Sequence, residues 1–279
     1  MCYNRFMSNE NISFYHSLDT PTTPDNVSWA PHLHSNYEIL FVYSVEEAYF
    51  NISGFKYQLK SFDFVFIKPA TIHNLTIPYS QNYERCGIYF SENMIPNELK
   101  PAVNDFNRIY HFENNDPVFK IIDSVSDAEL KFSKEDFQAF LPSALIQILY
   151  HLKYLSTDNE NVGISNDVID KIIRYIDEHI TEPLNAEIIS EKFFVSKSWL
   201  SHNFKNYLGM SLKKYINQKK LLTIEKLIPT GLSITHLSEG YSYNNYVTFF
   251  RQYKQYTGKK PKDNKLKDQK PKSDEGETE

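Results

Sequence analysis

Three histidines and one glutamate near the N-terminus have the residue types and spacing of a ligand or metal site. The segment His32-x-His34-x3-Glu38 is followed by His73, 35 residues after the glutamate. Side chains at positions i and i+2 of a strand project from the same face, and Glu38 shares that face. Such imidazole and carboxylate groups can bind a divalent metal ion, or they can line a pocket as satisfied polar groups. We favour the pocket and expect neither a resident metal nor a cofactor.

Two tyrosines of the predicted strand that contains Glu38 extend the predicted pocket. They complete a candidate ligand-binding set of His32, His34, Tyr37, Glu38, Tyr43 and His73. Polar groups above aromatic faces suit a sugar, so a sugar is one candidate for a small molecule bound here.

The last third of the chain repeats itself with an offset of 48 or 49 residues. Each copy contains a helical pattern, a short break and a second helical pattern that ends at glycine. The matching residues are Ile189-Ser190, Leu200, Phe204-Lys205 and Gly209 in the first copy, and Leu237-Ser238, Phe249, Tyr253-Lys254 and Gly258 in the second. Two tandem helix-turn-helix units are predicted, an architecture that places helices in DNA grooves.

The second helix of each copy carries a candidate DNA-contacting stripe. In the first copy the outward residues, spaced i, i+3, i+4 and i+7, are Ser198, Ser201, His202 and Lys205, with Lys197 beside them. Their donors suit base edges and phosphates. The equivalent residues of the second copy are Val247, Phe250, Arg251 and Lys254, with Asn245 and Tyr246 beside them. Since two of that stripe's four members are apolar, we expect sequence specificity to be concentrated in the first copy.

Local signals place the helices around these stripes. In the first copy we expect a start near Leu184 with Thr181 as the cap, a helix over Ala186–Lys192, and Ser196 as the N-cap of the next helix. A long connecting helix is predicted over Ser211–Ile228. In the second copy we expect a helix over Ile234–Glu239, a turn over Gly240–Tyr243, and a helix over Asn244–Thr257 with Asn244 as its N-cap.

The first half of the chain favours strands followed by helices. Short apolar runs separated by turn residues predict an antiparallel sandwich or barrel with strands over Tyr37–Val45, Tyr49–Ile52, Phe55–Leu59, Phe64–Ile67, His73–Ile77 and Cys86–Phe90. A hairpin turn is expected at Asn51-Ile52-Ser53-Gly54. Helical spacing follows at Pro117–Leu130 and Asp136–Leu155. The apolar stripe of the second helix is wide, so this helix is our candidate for a homodimer contact, with the core of the chain itself as the alternative.

The length, charge and cysteine content of the chain constrain its predicted domain organisation and location. Its 279 residues predict two domains. We expect a sensing and dimerisation domain over 1–155, a linker over 156–166, a DNA-binding domain over 167–264 and a disordered tail over 265–279. Residues 1–164 carry a net charge of −9 and residues 165–272 carry +8, as expected for a nucleic-acid-binding module on an acidic body. Two cysteines and the lack of a long apolar run favour a reducing cytoplasm over secretion or a membrane.

A family resemblance follows from these residues. The pattern YIDEH…EIISEKFFVSKSWLSHNFKNYLGMSLKKYI…SITHLSEGYSYNNYVTFFRQYKQYTGKKP resembles the AraC/XylS family of bacterial transcription regulators over residues 167–263. Five positions depart from the family pattern: Ser190 and Ser238 replace small alanines, Ser242 a turn glycine, Lys220 an arginine and Ile224 an alanine. The preceding HLHSNYEILFVY…FVFIKPATIH…GIYF resembles the family's cupin-type effector domain, although Ala70-Thr71-Ile72 departs from the second cupin motif.

The resemblance implies a function and a fold. The fold is α+β: a cupin-like β-barrel with helices, followed by an all-α domain of two helix-turn-helix units joined by a long helix. The function is that of a sequence-specific regulator of transcription, often an activator, which binds double-stranded DNA as a homodimer and responds to a small-molecule effector at the N-terminal domain. RNA polymerase is a further candidate partner. Two alternatives remain: a cupin metalloenzyme with an accessory DNA-binding segment, and a helical module that binds protein.

Overall fold

The computed structural model describes residues 7–8, 11–19, 27–28, 30–79, 81–106, 108–155, 167–258 and 260–261. The predicted linker over 156–166 and the predicted tail over 265–279 lie outside these ranges. Within them the chain is α+β, with strands in its first part and helices in its last, as predicted. None of the helices described is long and apolar enough to cross a membrane.

The strands form two antiparallel sheets. They are β1 (Met7–Ser8), β2 (Ile12–Asp19), β3 (Val27–Ser28), β4 (Tyr37–Ser44), β5 (Ala48–Ile52), β6 (Phe55–Leu59), β7 (Asp63–Ile67), β8 (His73–Ile77), β9 (Tyr83–Phe90) and β10 (Ile109–His111). The first sheet has the order β1-β2-β9-β4-β7-β10 and the second β3-β8-β5-β6. Every strand predicted from the sequence is present, but β1, β2, β3 and β10 were not predicted. The hairpin turn is narrower than expected, because β5 continues to Ile52 and only Ser53 and Gly54 form the turn, both with positive φ.

The first sheet is buried on both faces, and β4 shows how. Ile39 and Phe41 belong to the apolar cluster that contains the helices of this half. Leu40 and Val42 belong to the cluster shared with the second sheet. Successive side chains of a strand point to opposite faces, so β4 separates a helical layer from the second sheet.

Two helices cover the outer face of the first sheet. They are α2 (Pro117–Lys131) and α3 (Lys134–Tyr154), which follow a short α1 (Lys100–Val103). Except for partly buried Phe140, the apolar stripe of α3 is buried inside this chain, at Phe137, Leu141, Ala144, Leu145, Ile148, Leu149 and Leu152. The width of the stripe is therefore explained by the core, and it gives no argument for a dimer contact on this helix.

The remaining helices are α4 (Asp167–Glu178), which was not predicted, and the predicted helices of the repeat with the long helix that connects its copies. The predicted ones are α5 (Ala186–Lys192), α6 (Lys197–Leu208), α7 (Leu212–Leu227), α8 (Ile234–Gly240) and α9 (Tyr246–Thr257). The chain divides into two compact units. The first comprises Met1–Lys171 with Val195–Leu212, and the second comprises Ile172–Phe194 with Lys213–Glu279. Consequently α6 belongs to the same unit as the sheets.

Side-chain caps set the helix ends in the repeat. Ser196 caps α6 by accepting a hydrogen bond from the backbone N–H of Trp199, as predicted. The helix predicted over Ala186–Lys192 is confirmed as α5, but the predicted cap Thr181 is wrong, because Asn185 caps this helix. The predicted cap of α9 is wrong by one residue, since Asn245, not Asn244, accepts from the N–H of Val247. Gly209 and Gly258 end α6 and α9 in the left-handed conformation that glycine adopts without strain.

The turns of the two repeat copies both contain a strained residue. Phe194 has a φ of 55° and Ser242 a φ of 61°, and the two positions are 48 residues apart. A side chain in this region costs energy that glycine avoids. Ser242, which replaces a turn glycine of the family pattern, therefore carries this conformational energy cost. It is offset in part because the Ser242 hydroxyl donates to the carbonyl of Thr181 at 2.7 Å.

Lys220 joins two segments of the second unit through hydrogen bonds. Its ammonium group is buried, and it donates to the carbonyls of Glu182 at 2.7 Å and Tyr241 at 2.9 Å. Burial lowers the pKa of this lysine. Four residues later, Ile224 is fully buried in a cluster with residues of α8 and α9. The two departures from the family pattern in this helix are thus both accommodated in the core of this unit.

Replacing Lys220 by methionine should destabilise the protein. The buried carbonyl of Tyr241 and the partly buried carbonyl of Glu182 would lose their donor, which typically costs about 2–4 kcal/mol. Lys220→Arg retains donors that can reach both carbonyls and should lose less than about 1 kcal/mol. Urea denaturation followed by circular dichroism measures both variants. Equal loss in the two variants would show that the hydrogen bonds are not what stabilises this unit.

Relieving the strained turn should stabilise the protein. Phe194 is 97% exposed, so Phe194→Gly removes little packing while it relaxes a positive φ. We expect a gain of about 0.5–1 kcal/mol after the entropy cost of glycine. Phe194→Ala is the matched control, since it removes the ring and keeps the strain. A gain in the alanine variant equal to that in the glycine variant would assign the effect to the ring instead.

Candidate nucleic-acid interface and histidine cluster

The polar stripe predicted on α6 is exposed. Leu200 and Phe204 are fully buried on the opposite side of the helix. Because these two anchor the inner face, the outer face presents the predicted residues, all exposed: Lys197, Ser198, Ser201, His202 and Lys205. Trp199 and Asn203, predicted to point inwards, are half-buried. The stripe is therefore available to a nucleic acid on a helix whose ends are fixed by Ser196 and Gly209.

One residue of this face was not predicted. Asn206 is exposed and its side-chain amide donates to Nε2 of His202 at 2.9 Å. With Nε2 acting as an acceptor, the neutral ring of His202 carries its proton on Nδ1. The spacing of four residues from His202 is the sequence signal that could have found it. Asn206 therefore orients the histidine that lies in the middle of the stripe.

The equivalent face of α9 is less polar, as the sequence indicates. Phe249 and Tyr253 are buried, and Arg251 and Lys254 are exposed. Val247 is 71% exposed, while Phe250 is half-buried beside the ring of Tyr246. Asn245 is exposed, but its side-chain oxygen is already used to cap the helix. This helix therefore presents two cations and an apolar edge.

The structure brings together the three histidines and the glutamate predicted as a site. One ring nitrogen from each of His32, His34 and His73 lies within 4.8 Å of the others. His32 and His73 are also paired through their backbones, with N–H to carbonyl distances of 3.1 and 3.0 Å. Oε2 of Glu38 lies 3.0 Å from Nε2 of His34 and 3.4 Å from Nε2 of His73. These four residues form the histidine cluster.

Burial and charge set the protonation of this cluster. Burial acts to raise the pKa of Glu38, but hydrogen bonds and charges from His34 and His73 hold it well below its usual range. Glu38 is therefore a carboxylate at neutral pH. Burial and the neighbouring His73 lower the pKa of His32, which favours its neutral ring.

Two of the predicted pocket residues do not reach the cluster. Tyr37 stacks on Phe90, and Tyr43 hydrogen-bonds to Ser126 at 2.7 Å, so both lie among the residues that pack against the helices. Their odd positions in β4 point to the opposite face from Glu38, and the sequence prediction that they share one pocket is wrong.

Other aromatic residues surround the cluster instead. The Tyr15 hydroxyl donates to Oε1 of Glu38 at 3.3 Å, and Tyr89 meets His34 edge to face at 5.3 Å. Phe50 stacks on His73 at 5.9 Å. Tyr15 was missed because β2 was not predicted, whereas the alternation of β9 could have placed Tyr89 on the same face as Glu38.

The end of α6 lies against the strands next to the cluster. A Cβ atom added at Gly54 would lie 2.2 Å from Cε1 of Tyr207, and one added at Gly209 would lie 2.6 Å from Cγ of Pro31. Both glycines thus allow a close approach that no other residue permits. The Tyr207 hydroxyl also donates to Asp170 at 3.1 Å. We call the approach of Gly54 and Pro31 to Tyr207 and Gly209 the α6 contact.

Comparison with known proteins identifies the repeat. Residues 189–265 match the family model for a helix-turn-helix domain. The chain is 31% identical over 97 residues to the regulatory protein SoxS of Salmonella typhimurium, covering 34% of this chain and 91% of SoxS. It is 34% identical over 89 residues to the multiple antibiotic resistance protein MarA of Escherichia coli, covering 32% of this chain and 70% of MarA.

A solved structure of ToxT from Vibrio cholerae is also similar, at 15% identity and a TM-score of 0.37 over 90% of this chain and 97% of ToxT. The match to SoxS covers nearly all of SoxS, and the matching helix-turn-helix family model spans both capped helices that present the exposed stripes. This protein therefore belongs to the AraC/XylS family of DNA-binding transcription regulators.

Proposed function

We propose that this protein activates transcription by binding a specific DNA sequence as a homodimer, with α6 as its principal recognition helix and RNA polymerase as a partner. The observation that supports α6 in this role is its exposed row of hydroxyl, imidazole and ammonium donors above a buried inner face. Hydrogen-bonding side chains of this kind distinguish base edges in the major groove. The net charge of +8 over residues 165–272 supports contacts with phosphates.

The two recognition helices are proposed to contribute unequally. Val247 and the half-buried Phe250 offer no hydrogen bond to a base, whereas Arg251 and Lys254 can reach phosphates or guanine. We infer that α9 adds affinity and that α6 adds most of the specificity. A genome-wide footprint of the protein tests the proposal as a whole and supplies the DNA site for the measurements below. A footprint without a common sequence would contradict it.

His202 and Lys205 of α6 should affect different properties of DNA binding, namely sequence specificity and overall affinity. His202→Ala should lose about 1–3 kcal/mol of discrimination between the footprint sequence and its point variants, because a base contact is lost. Ser201→Ala should act in the same direction. Lys205→Ala should weaken binding to all sequences and reduce the slope of log K against log salt by about 1. Fluorescence anisotropy on a panel of DNA duplexes over a range of salt concentrations measures both effects.

His236→Ala and Lys226→Ala are the matched controls, since both residues are exposed outside the proposed interface. Neither should change the sequence profile or the salt slope. Identical sequence profiles for wild type and His202→Ala would refute the role of α6 as the specificity helix.

Effector control is proposed to act through the α6 contact. Pro31 adjoins His32 in the chain, and Gly54 follows the β5 residue Ile52 that pairs with His73. A ligand at the histidine cluster that favours one position of these segments would therefore change the restraint on α6. The candidate sugar loses support, because it depended on aromatic faces of Tyr37 and Tyr43 that lie across the sheet.

Removing the ring at the α6 contact should free the recognition helix. Tyr207→Ala should raise the affinity of the effector-free protein for its DNA site by about 5-fold or more, the lower end of typical coupling between sites. Tyr207→Phe keeps the ring on Gly54 and removes the hydroxyl that donates to Asp170, so it should behave as wild type. Anisotropy with the footprint sequence compares the three proteins. Unchanged or weaker binding by Tyr207→Ala would contradict a restraining role for this contact.

A further inference from the structure

We propose that α9 recognises thymine in its DNA site through the C5-methyl group of the base, with Val247 as the contacting side chain. The proposal rests on the proposed function and deepens it, because it names what the less polar of the two recognition helices recognises. It gives α9 a share of the sequence specificity that needs no hydrogen bond to a base.

Val247 lies where a recognition helix meets the bases. It is the second residue of α9 and is 71% exposed. In helix-turn-helix proteins, the N-terminal residues of the second helix of each unit contact base edges in the major groove. The offset of 49 residues between the two copies places Val247 at the position of Ser198, which is exposed at the start of α6. Both residues therefore occupy a base-reading position, one with a hydroxyl group and the other with two methyl groups.

The charges of α9 favour DNA over a protein as the occupant of this face. Phe249 and Tyr253 are buried on the inner side of the helix. Val247, Arg251 and Lys254 are spaced i, i+4 and i+7, so they form one exposed outward row. The sequence of α9 contains no acidic residue. A row with two cations beside one apolar side chain matches a groove with phosphates along its edges.

The cap of α9 occupies hydrogen-bonding groups close to the Val247 side chain. Oδ1 of Asn245 accepts from the backbone N–H of Val247 at 2.7 Å, so the cap uses this donor and this acceptor. Phe250 is half-buried, and its ring centroid lies 6.3 Å from that of Tyr246. Val247 is therefore the most exposed apolar side chain of α9, and it meets a base through its methyl groups.

Thymine offers an apolar group in the major groove. Its C5-methyl group projects there, while the other groups that distinguish the bases are hydrogen-bond donors and acceptors. A β-branched residue at an exposed helix position lowers helix propensity and buries little surface in the free protein. Packing against the methyl group would remove apolar surface of both partners from water. Because the methyl group belongs to one strand, this contact also distinguishes T·A from A·T.

The contact is tested by removing single methyl groups from the DNA. Each thymine of the footprint sequence is replaced in turn by deoxyuridine, which pairs as thymine does and lacks only the C5-methyl group. At one or more thymines, wild type should bind about 4-fold more weakly, as expected when one methyl group leaves an apolar contact. Fluorescence anisotropy with the full-length protein measures each duplex.

Protein variants show which of these thymines α9 contacts. Val247→Ser introduces the residue that α6 has at this position. It should make at least one sensitive thymine insensitive, with thymine and deoxyuridine bound within about 2-fold of each other. Val247→Ile keeps the methyl groups and should retain the wild-type sensitivity. Leu232→Ser is the matched control, because it removes an apolar side chain that is 47% exposed outside α9, and it should leave every sensitivity unchanged.

A cytosine series adds the methyl group back. Cytosine paired with guanine at that thymine should weaken the binding of wild type, and 5-methylcytosine should recover about 4-fold in affinity. Val247→Ser should not distinguish the two forms of cytosine.

No deoxyuridine effect in wild type, or equal effects in wild type and Val247→Ser, would overturn the contact. Unchanged DNA binding by Val247→Ser, combined with reduced transcription in vitro by RNA polymerase, would assign Val247 to a protein surface and would also overturn it. In each of these cases, wild type still binds the footprint sequence specifically. Absence of that specific binding in wild type would instead refute the proposed function and this contact with it.

Discussion

The alternation of side chains along β4 is the constraint on which the first unit depends. This strand lies between β9 and β7 and is buried on both faces, so its two sets of residues have different partners. One set packs against the helices, and the other faces the second sheet with Glu38 at its end. A shift of one residue would exchange the two sets and remove the carboxylate from the histidines. The register of one strand therefore fixes both the core and the cluster.

The helices of the repeat obey the corresponding rule with a period of 3.6 residues. Because Leu200 and Phe204 are buried, the helical period places Ser201, His202 and Lys205 on the outer face. The same burial at Phe249 and Tyr253 turns a more apolar edge outwards in α9. The two helices have similar capping glycines and similar buried inner faces. They therefore differ mainly in the polarity of the side chains on their outer faces.

The end of α6 approaches two segments that are close in sequence or pairing to residues of the histidine cluster. Gly54 and Gly209 permit backbone and ring to approach at distances that a Cβ would forbid, so the contact is specific to these two positions. The strained turn at Phe194 lies directly before the residues that lead into α6. The proposed effector control depends on this contact, because a ligand acts by favouring one of two arrangements.

The sequence by itself determined the helices of the repeat, the strands that alternate cleanly, the exposed stripe on α6 and the grouping of His32, His34, Glu38 and His73. These follow from local periodicity and from residue spacing, which a single chain displays. The caps at Asn185 and Asn245 were misplaced because several neighbouring residues can cap a helix, and only the backbone path selects one. Tertiary structure alone decided that Tyr37 and Tyr43 face away from the cluster, that Tyr15 joins it, that α3 is covered by its own chain and that Tyr207 lies on Gly54. These outcomes depend on pairing between segments that are distant in sequence. Neither the register of such pairing nor the choice of the face that each strand packs against is visible in a short stretch of sequence.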